Sequence, residues 1–115
     1  MFSVPPPCDA QLGMIRPMHE TDLPAVLSIE NQLYDIPWSQ RNFLDALEAP
    51  YDCQVYCVAD QVLAYSIVML VFDEAHLLNI SVSKSQQGRG LGRFLLRHAM
   101  AAAQAQGMLS VLLEV

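Results

Sequence analysis

Apolar side chains gather in three strand-like blocks in the middle of the chain and recur at helical spacing on both sides of them. Residues 53–59, 62–71 and 75–82 are rich in Val, Ile, Leu and Tyr, and the polar breaks between them, Asp60-Gln61 and Asp73-Glu74, are short. Links of that length join antiparallel neighbours, so the three blocks predict a β-meander. Ahead of them, a short extended segment around Ile15 leads to Thr21, a residue suited to an N-cap, and then to Leu23, Val26 and Leu27 on one helical face. Pro24 falls in the first turn, where a missing N–H costs little. Pro37 in "DIPWS" disfavours helix at Ile36, and Ser39 then caps a second helix carrying Phe43, Leu44 and Leu47, with Pro50 just beyond its end.

Downstream of the meander, Leu91, Phe94, Leu95, His98, Ala102 and Ala105 make a helical stripe that Gly107 closes as a C-cap. "LSVLLEV", residues 109–115, reads as a last strand. The strand, helix, strand unit is a crossover, which sets 109–115 parallel to 75–82. The predicted order is β-α-α-β-β-β-α-β, an α/β protein with a mixed sheet. It occupies residues 14–115 as one domain behind a flexible tail, residues 1–13, whose three prolines exclude helix and sheet. With 115 residues, 53% of them hydrophobic, a second domain does not fit.

Charge and cysteine usage narrow the function. A formal net charge of −6 speaks against nucleic acid, which needs a basic patch, and favours neutral or basic partners. No apolar run reaches the length of a membrane span and the opening residues lack a signal-like core, so the expectation is a soluble, cytoplasmic protein with no membrane partner. Cys8, Cys53 and Cys57 are odd in number and lack metal-ligand spacing; Cys53 and Cys57 share one strand face and read as buried thiols, with no metal implied.

The candidate chemistry lies in "SQQGRGLGRF", residues 85–94, where three glycines alternate between a strand and a helix. Such a turn aims backbone N–H groups into one concavity at a helix N-terminus, which suits phosphate. Arg89 and Arg93 near a helix start are unfavourable unless an anion is present. A P-loop is excluded because no Lys-Ser or Lys-Thr follows the last glycine. The dinucleotide fingerprint G-x-G-x-x-G fails at Arg93 or at Leu95, although Glu114 stands about where a ribose-binding acid is expected, so a dinucleotide-binding oxidoreductase stays open as an alternative.

The pattern Q-x-x-G-x-G, Gln87 to Gly92, resembles the cofactor motif of the GCN5-related N-acetyltransferases. "IPWS", "DEAHLLNISV", "GLGRFLL" and "LLEV" follow in the order seen in the RimI-type ribosomal-protein alanine N-acetyltransferases of that family. The resemblance implies an acyl-CoA N-acyltransferase fold and direct acetyl transfer from acetyl-CoA to the N-terminal amine of a protein, a ribosomal one. It implies that Ile80, Ser81 and Val82 offer backbone groups to the pantetheine arm, and that Gly88, Arg89, Gly90, Leu91, Gly92 and Arg93 hold the pyrophosphate. Glu114 matches the family's general base, and its neighbours Leu112, Leu113 and Val115 predict a desolvated setting that raises a carboxyl pKa. Trp38 reads equally as a staple between helices and as part of the acceptor loop. Ala64 stands where many relatives have glycine, and "SKS" replaces an acidic-proline turn, bringing Lys84 near the cofactor. Family members continue with a further helix and two strands carrying a tyrosine acid, so the resemblance implies a domain incomplete at its C-terminus. From this follow the expectations of self-association through an open sheet edge and of a second alternative, a non-catalytic CoA-binding fragment.

Overall fold

The computed structural model describes residues 13–113. Its elements are β1 (Met14–Pro17), α1 (Leu23–Leu33), α2 (Gln40–Glu48), β2 (Tyr51–Val58), β3 (Gln61–Val71), β4 (Glu74–Val82), α3 (Leu91–Ala105) and β5 (Ser110–Leu113), with 3-10 turns at Glu20–Asp22 and Lys84–Gln86. This is the predicted succession. The strands form one sheet in the order β1-β2-β3-β4-β5. The pairings β1–β2, β2–β3 and β3–β4 are antiparallel, and β4–β5 is parallel, as a crossover through α3 requires.

The sheet separates two apolar layers. On one face, Leu23, Val26 and Ile29 of α1 and Phe43 and Ala46 of α2 pack on Cys53, Val55 and Cys57 of β2 and Tyr65 and Ile67 of β3. On the other, Ala99 and Ala103 of α3 meet Val68, Ala75 and Leu77, with Leu96 and Ile80 at the margin. Cys53 and Cys57 are buried free thiols on one face of β2, as their spacing predicts. Burial pushes the Cys53 thiol up to about 11 and raises that of Cys57. Ser39 caps α2 reciprocally: its Oγ accepts from the Asn42 N–H at 3.1 Å, and its own N–H donates to Asn42 Oδ1 at 2.9 Å. Gly107, at φ +86°, ends α3 in a Schellman arrangement, with Met108 N–H donating to the Ala103 carbonyl and Gly107 N–H to that of Gln104.

Two expectations need correction. Thr21 does not cap α1; it lies inside the 3-10 turn, and Asp22 holds the cap position. Asp22 instead spends its carboxylate on a bidentate pair with Arg16, 2.8 Å to each oxygen, and on the His19 N–H at 2.8 Å, which ties β1 to the start of α1. The buried face of α3 is Leu95, Ala99 and Ala103, whereas Phe94, His98 and Ala105 are exposed. The stripe is rotated by about one residue, roughly 100°, because small alanines let the helix sit close to the sheet while Arg93 and Arg97 take the opposite side. The assigned tail falls almost wholly outside the described residues, and so does Glu114.

Candidate functional site

The end of β4 carries the geometry that matters. In the register with β3, Ile67 faces Asn79 and Val68 faces Leu77, so Leu78 is an extra residue that bulges β4. Beyond it Asn79 and Ser81 turn towards α1, and Ile80 packs on the α3 side. The bulge directly follows the last described pair of the β5 ladder. Among the described residues β5 pairs with Glu74, Ala75, His76 and Leu77, the pair furthest along being Leu77 with Leu113. Among the described residues no strand covers residues 78–82 on that side, which leaves backbone groups of β4 available to an extended ligand.

Facing this edge is the glycine turn. Gly88 and Gly90 have φ of +80°, the left-handed conformation that side chains resist, and Gly90 occupies the N-cap of α3. The first N–H groups of α3 have no partner within the helix. Gln87 fastens the turn to the strand by donating from Nε2 to the Val82 carbonyl at 3.0 Å. Strand and turn enclose an open cleft of about 290 Å³ lined by Ile80, Ser81 and Val82, by Gly88, Gly90, Leu91 and Gly92, by Gln86 and Gln87, and by Leu33 and Tyr34 at the end of α1. Most of the predicted cofactor residues are thus brought together. Arg89 and Arg93 are not among the lining residues; both are exposed beside the helix start.

Charge supports an anionic ligand here. No Asp or Glu occurs in residues 75–113, yet that span holds Lys84, Arg89, Arg93 and Arg97, four of the six Lys and Arg of an acidic chain. Cations collected where the helix dipole is already positive are destabilising until a polyanion such as a pyrophosphate joins them.

Sequence reasoning missed a buried polar relay under the cleft. Glu30 of α1, 2% exposed, accepts three hydrogen bonds: Tyr65 OH at 2.6 Å and Asn79 Nδ2 at 3.0 Å on Oε1, and the Trp38 N–H at 2.9 Å on Oε2. Asn79 Oδ1 accepts from Ser81 Oγ at 2.8 Å, and Ser81 Oγ lies 2.7 Å from Tyr34 OH. Burial, then the bond to Glu30, push the Tyr65 phenol far above its ordinary value, so it stays a donor. Trp38 packs on Phe43 with ring centroids 5.0 Å apart, in keeping with a staple between helices. His76 stands at the far end of β4, 3.2 Å from Glu74.

A family model for the acetyltransferase (GNAT) family matches residues 15–115. The chain belongs to the GNAT acetyltransferase family. As a GNAT enzyme it is an N-acetyltransferase that takes acetyl-CoA as acyl donor, and the cleft fits that donor by its free strand edge, its glycine turn and its local positive charge. The [Ribosomal protein bS18]-alanine N-acetyltransferase of Salmonella typhimurium is 36% identical over 104 residues, covering 90% of this chain and 70% of the relative. The corresponding Escherichia coli enzyme is 34% identical over the same shares. The crystal structure of the E. coli ribosomal-protein-S18-alanine N-acetyltransferase superposes with a TM-score of 0.84, covering 90% of this chain and 67% of that one. The fold alone is shared with the PaiA N-acetyltransferase of Thermoplasma acidophilum in complex with coenzyme A, at a TM-score of 0.79 and 14% identity over 90% of this chain and 79% of that one. For this GNAT chain the dinucleotide alternative falls: β4–β5 is the one parallel pair among the described residues, where a dinucleotide fold needs a parallel sheet.

Proposed function

We propose that this enzyme transfers the acetyl group of acetyl-CoA to the N-terminal amine of a ribosomal protein, at an alanine. The observation that carries the reading is the 36% identity to a bS18-alanine N-acetyltransferase across nine-tenths of the chain. Action on that substrate goes with a cytoplasmic location, and the described residues contain no helix long and apolar enough to cross a membrane.

In this reading the free edge of β4 at Ile80, Ser81 and Val82 pairs with the pantetheine arm. Gly88, Gly90, Leu91 and Gly92 present N–H groups to the pyrophosphate, with Arg89 and Arg93 screening its charge from outside. Acetyl-CoA supplies the activated acyl group. A β4 N–H polarises the thioester carbonyl while the neutral amine attacks; the new C–N bond forms, the C–S bond breaks and coenzyme A leaves as the thiol after taking a proton. Glu114, which follows Leu113 in sequence, is the proposed base that removes the proton of the substrate ammonium, directly or through water. Cys53 and Cys57 take no part, since both buried thiols lie in the α1 and α2 core.

The test is mass spectrometry of a basic peptide beginning with alanine after incubation with acetyl-CoA. Acetylation at the terminal amine supports the reading, and a Glu114→Gln variant should be slower by roughly a hundredfold. Binding of CoA without transfer to any amine would instead favour the non-catalytic alternative, and modification of lysine side chains alone would make the substrate assignment wrong.

A further inference from the structure

The direction of each hydrogen bond beneath the cleft fixes which end of Tyr34 faces the ligand. Asn79 commits its amide nitrogen to Glu30, so its oxygen is the atom turned to Ser81, and Ser81 must donate. A hydroxyl has one proton. With that of Ser81 directed at Asn79, the 2.7 Å contact to Tyr34 runs from Tyr34 OH to Ser81 Oγ. The phenol proton therefore points into the protein, and the oxygen keeps only lone pairs for the cleft that Tyr34 lines.

A group meeting Tyr34 there has to bring an N–H or O–H. Phosphate oxygens are excluded by this polarity, while an ammonium has three donors. Position agrees with the acceptor. Tyr34 opens the segment 34–38, which is anchored at both ends, by the Tyr34 side chain on Ser81 and by the Trp38 N–H on Glu30, and which exposes Asp35 and Ile36 between them. Asp35 adds negative charge next to the tyrosine. Resting on the acetyl-transfer reading above, we propose that Tyr34 receives an N–H of the acceptor's terminal amine, held in that acceptor orientation by the Glu30, Asn79 and Ser81 relay.

The experiment is calorimetry on the CoA-saturated protein with a basic peptide beginning with alanine and with the same peptide acetylated at its N-terminus. The wild type should prefer the free amine. Tyr34→Phe, which keeps the ring, should lose about tenfold of that preference, or about 1.4 kcal/mol, with unchanged affinity for CoA and for the blocked peptide. Ser81→Ala frees the phenol proton and should reduce the preference in the wild type but not in the Tyr34→Phe background. A Tyr34→Phe protein with the wild-type preference, or one weakened towards CoA itself, overturns the assignment. Additive effects of the two substitutions overturn the relay. A wild type that binds CoA but neither peptide overturns the acetyl-transfer reading and this proposal with it.

Discussion

The buried carboxylate of Glu30 accepts the backbone N–H of Trp38 at 2.9 Å, so an acid inside α1 fixes where α2 begins. The same carboxylate holds Tyr65 and Asn79, which come from two different strands. Removing it leaves three donors without their acceptor, two of them fully inside the protein. Glu30→Ala should therefore cost about 3 kcal/mol or more, at 1–3 kcal/mol for each stranded buried group. Tyr65→Phe removes one donor and leaves Glu30 with two others, so its cost should be about 1 kcal/mol. Urea denaturation of the two variants checks the order; a Glu30→Ala protein more stable than Tyr65→Phe would show that Glu30 is not the hub of this relay.

Arg16 and Asp22 give the fold an acid-sensitive clasp. The side-chain bonds from Arg16, opposed by burial and helped by the His19 N–H, hold the Asp22 carboxyl below its ordinary value. A carboxyl depressed in the folded state contributes stability that is present above its unfolded pKa, about 3.9, and is lost as pH falls through the lower folded value. Asp22→Asn should thus lower stability at neutral pH by about 1–2 kcal/mol, the range of a charge-assisted bond that is mostly shielded. Its stability should also fall less steeply than that of the wild type below pH of about 4. Parallel wild-type and variant curves through the acid range would mean that Asp22 titrates alike folded and unfolded.

How far the sequence predicts the fold depends on the range of the interactions. The strands and helices follow from local signals: Pro37 and Ser39 place the start of α2, Gly107 ends α3, and two-residue breaks make the meander. The glycine turn is equally local, which is why Gly88, Gly90 and Gly92 could be assigned to one cleft with Ile80, Ser81 and Val82. Glu30 was hidden because its partners Tyr65 and Asn79 lie 35 and 49 residues away, and within "IENQ" it looks like part of a solvated face. The α3 stripe was misplaced because alanine is compatible with either side of a helix. The row Arg93 and Arg97, continued by Gln104, marks the solvent side and would have turned the stripe onto Leu95, Ala99 and Ala103.

Ser66 provides a test of the core itself. It lies on β3, 0% exposed, and its Oγ finds no hydrogen-bond partner among the described residues. A buried hydroxyl that makes no bond pays desolvation without return, and its removal leaves little volume to refill. Ser66→Ala should leave stability unchanged or raise it by about 1 kcal/mol, while Ser66→Val should lower it by overpacking the closely approached sheet. A fall of more than about 1 kcal/mol on Ser66→Ala, read from the thermal midpoint, would mean that the hydroxyl makes a stabilising hydrogen bond in solution.

The glycines of the turn can be separated by what each needs them for. Gly90 adopts φ +80° and ψ 8°, and a Cβ there meets nothing within 4 Å, so in the protein alone only backbone strain demands glycine. Gly90→Ala should cost about 1–2 kcal/mol of stability and, if phosphate approaches the turn, CoA affinity as well. Gly92 differs: it lies in the first turn of α3, its φ is ordinary, and a Cβ would touch Val82 Cγ2 at 3.6 Å, a normal contact. Alanine there should be neutral or favourable for the free protein, by up to about 1 kcal/mol of helix propensity. Since Gly92 lines the cleft, its new methyl group would stand between backbone and pyrophosphate. Gly92→Ala is therefore expected to melt at or above the wild-type temperature yet bind CoA at least tenfold more weakly, about 1.4 kcal/mol. Differential scanning calorimetry and CoA titration on the same samples decide it, because a loss of affinity without a loss of stability has no explanation in the turn's own shape. If Gly92→Ala and Gly90→Ala both bind CoA like the wild type, the alternating glycines shape a turn and nothing more, and the pyrophosphate has to be sought elsewhere on the molecule.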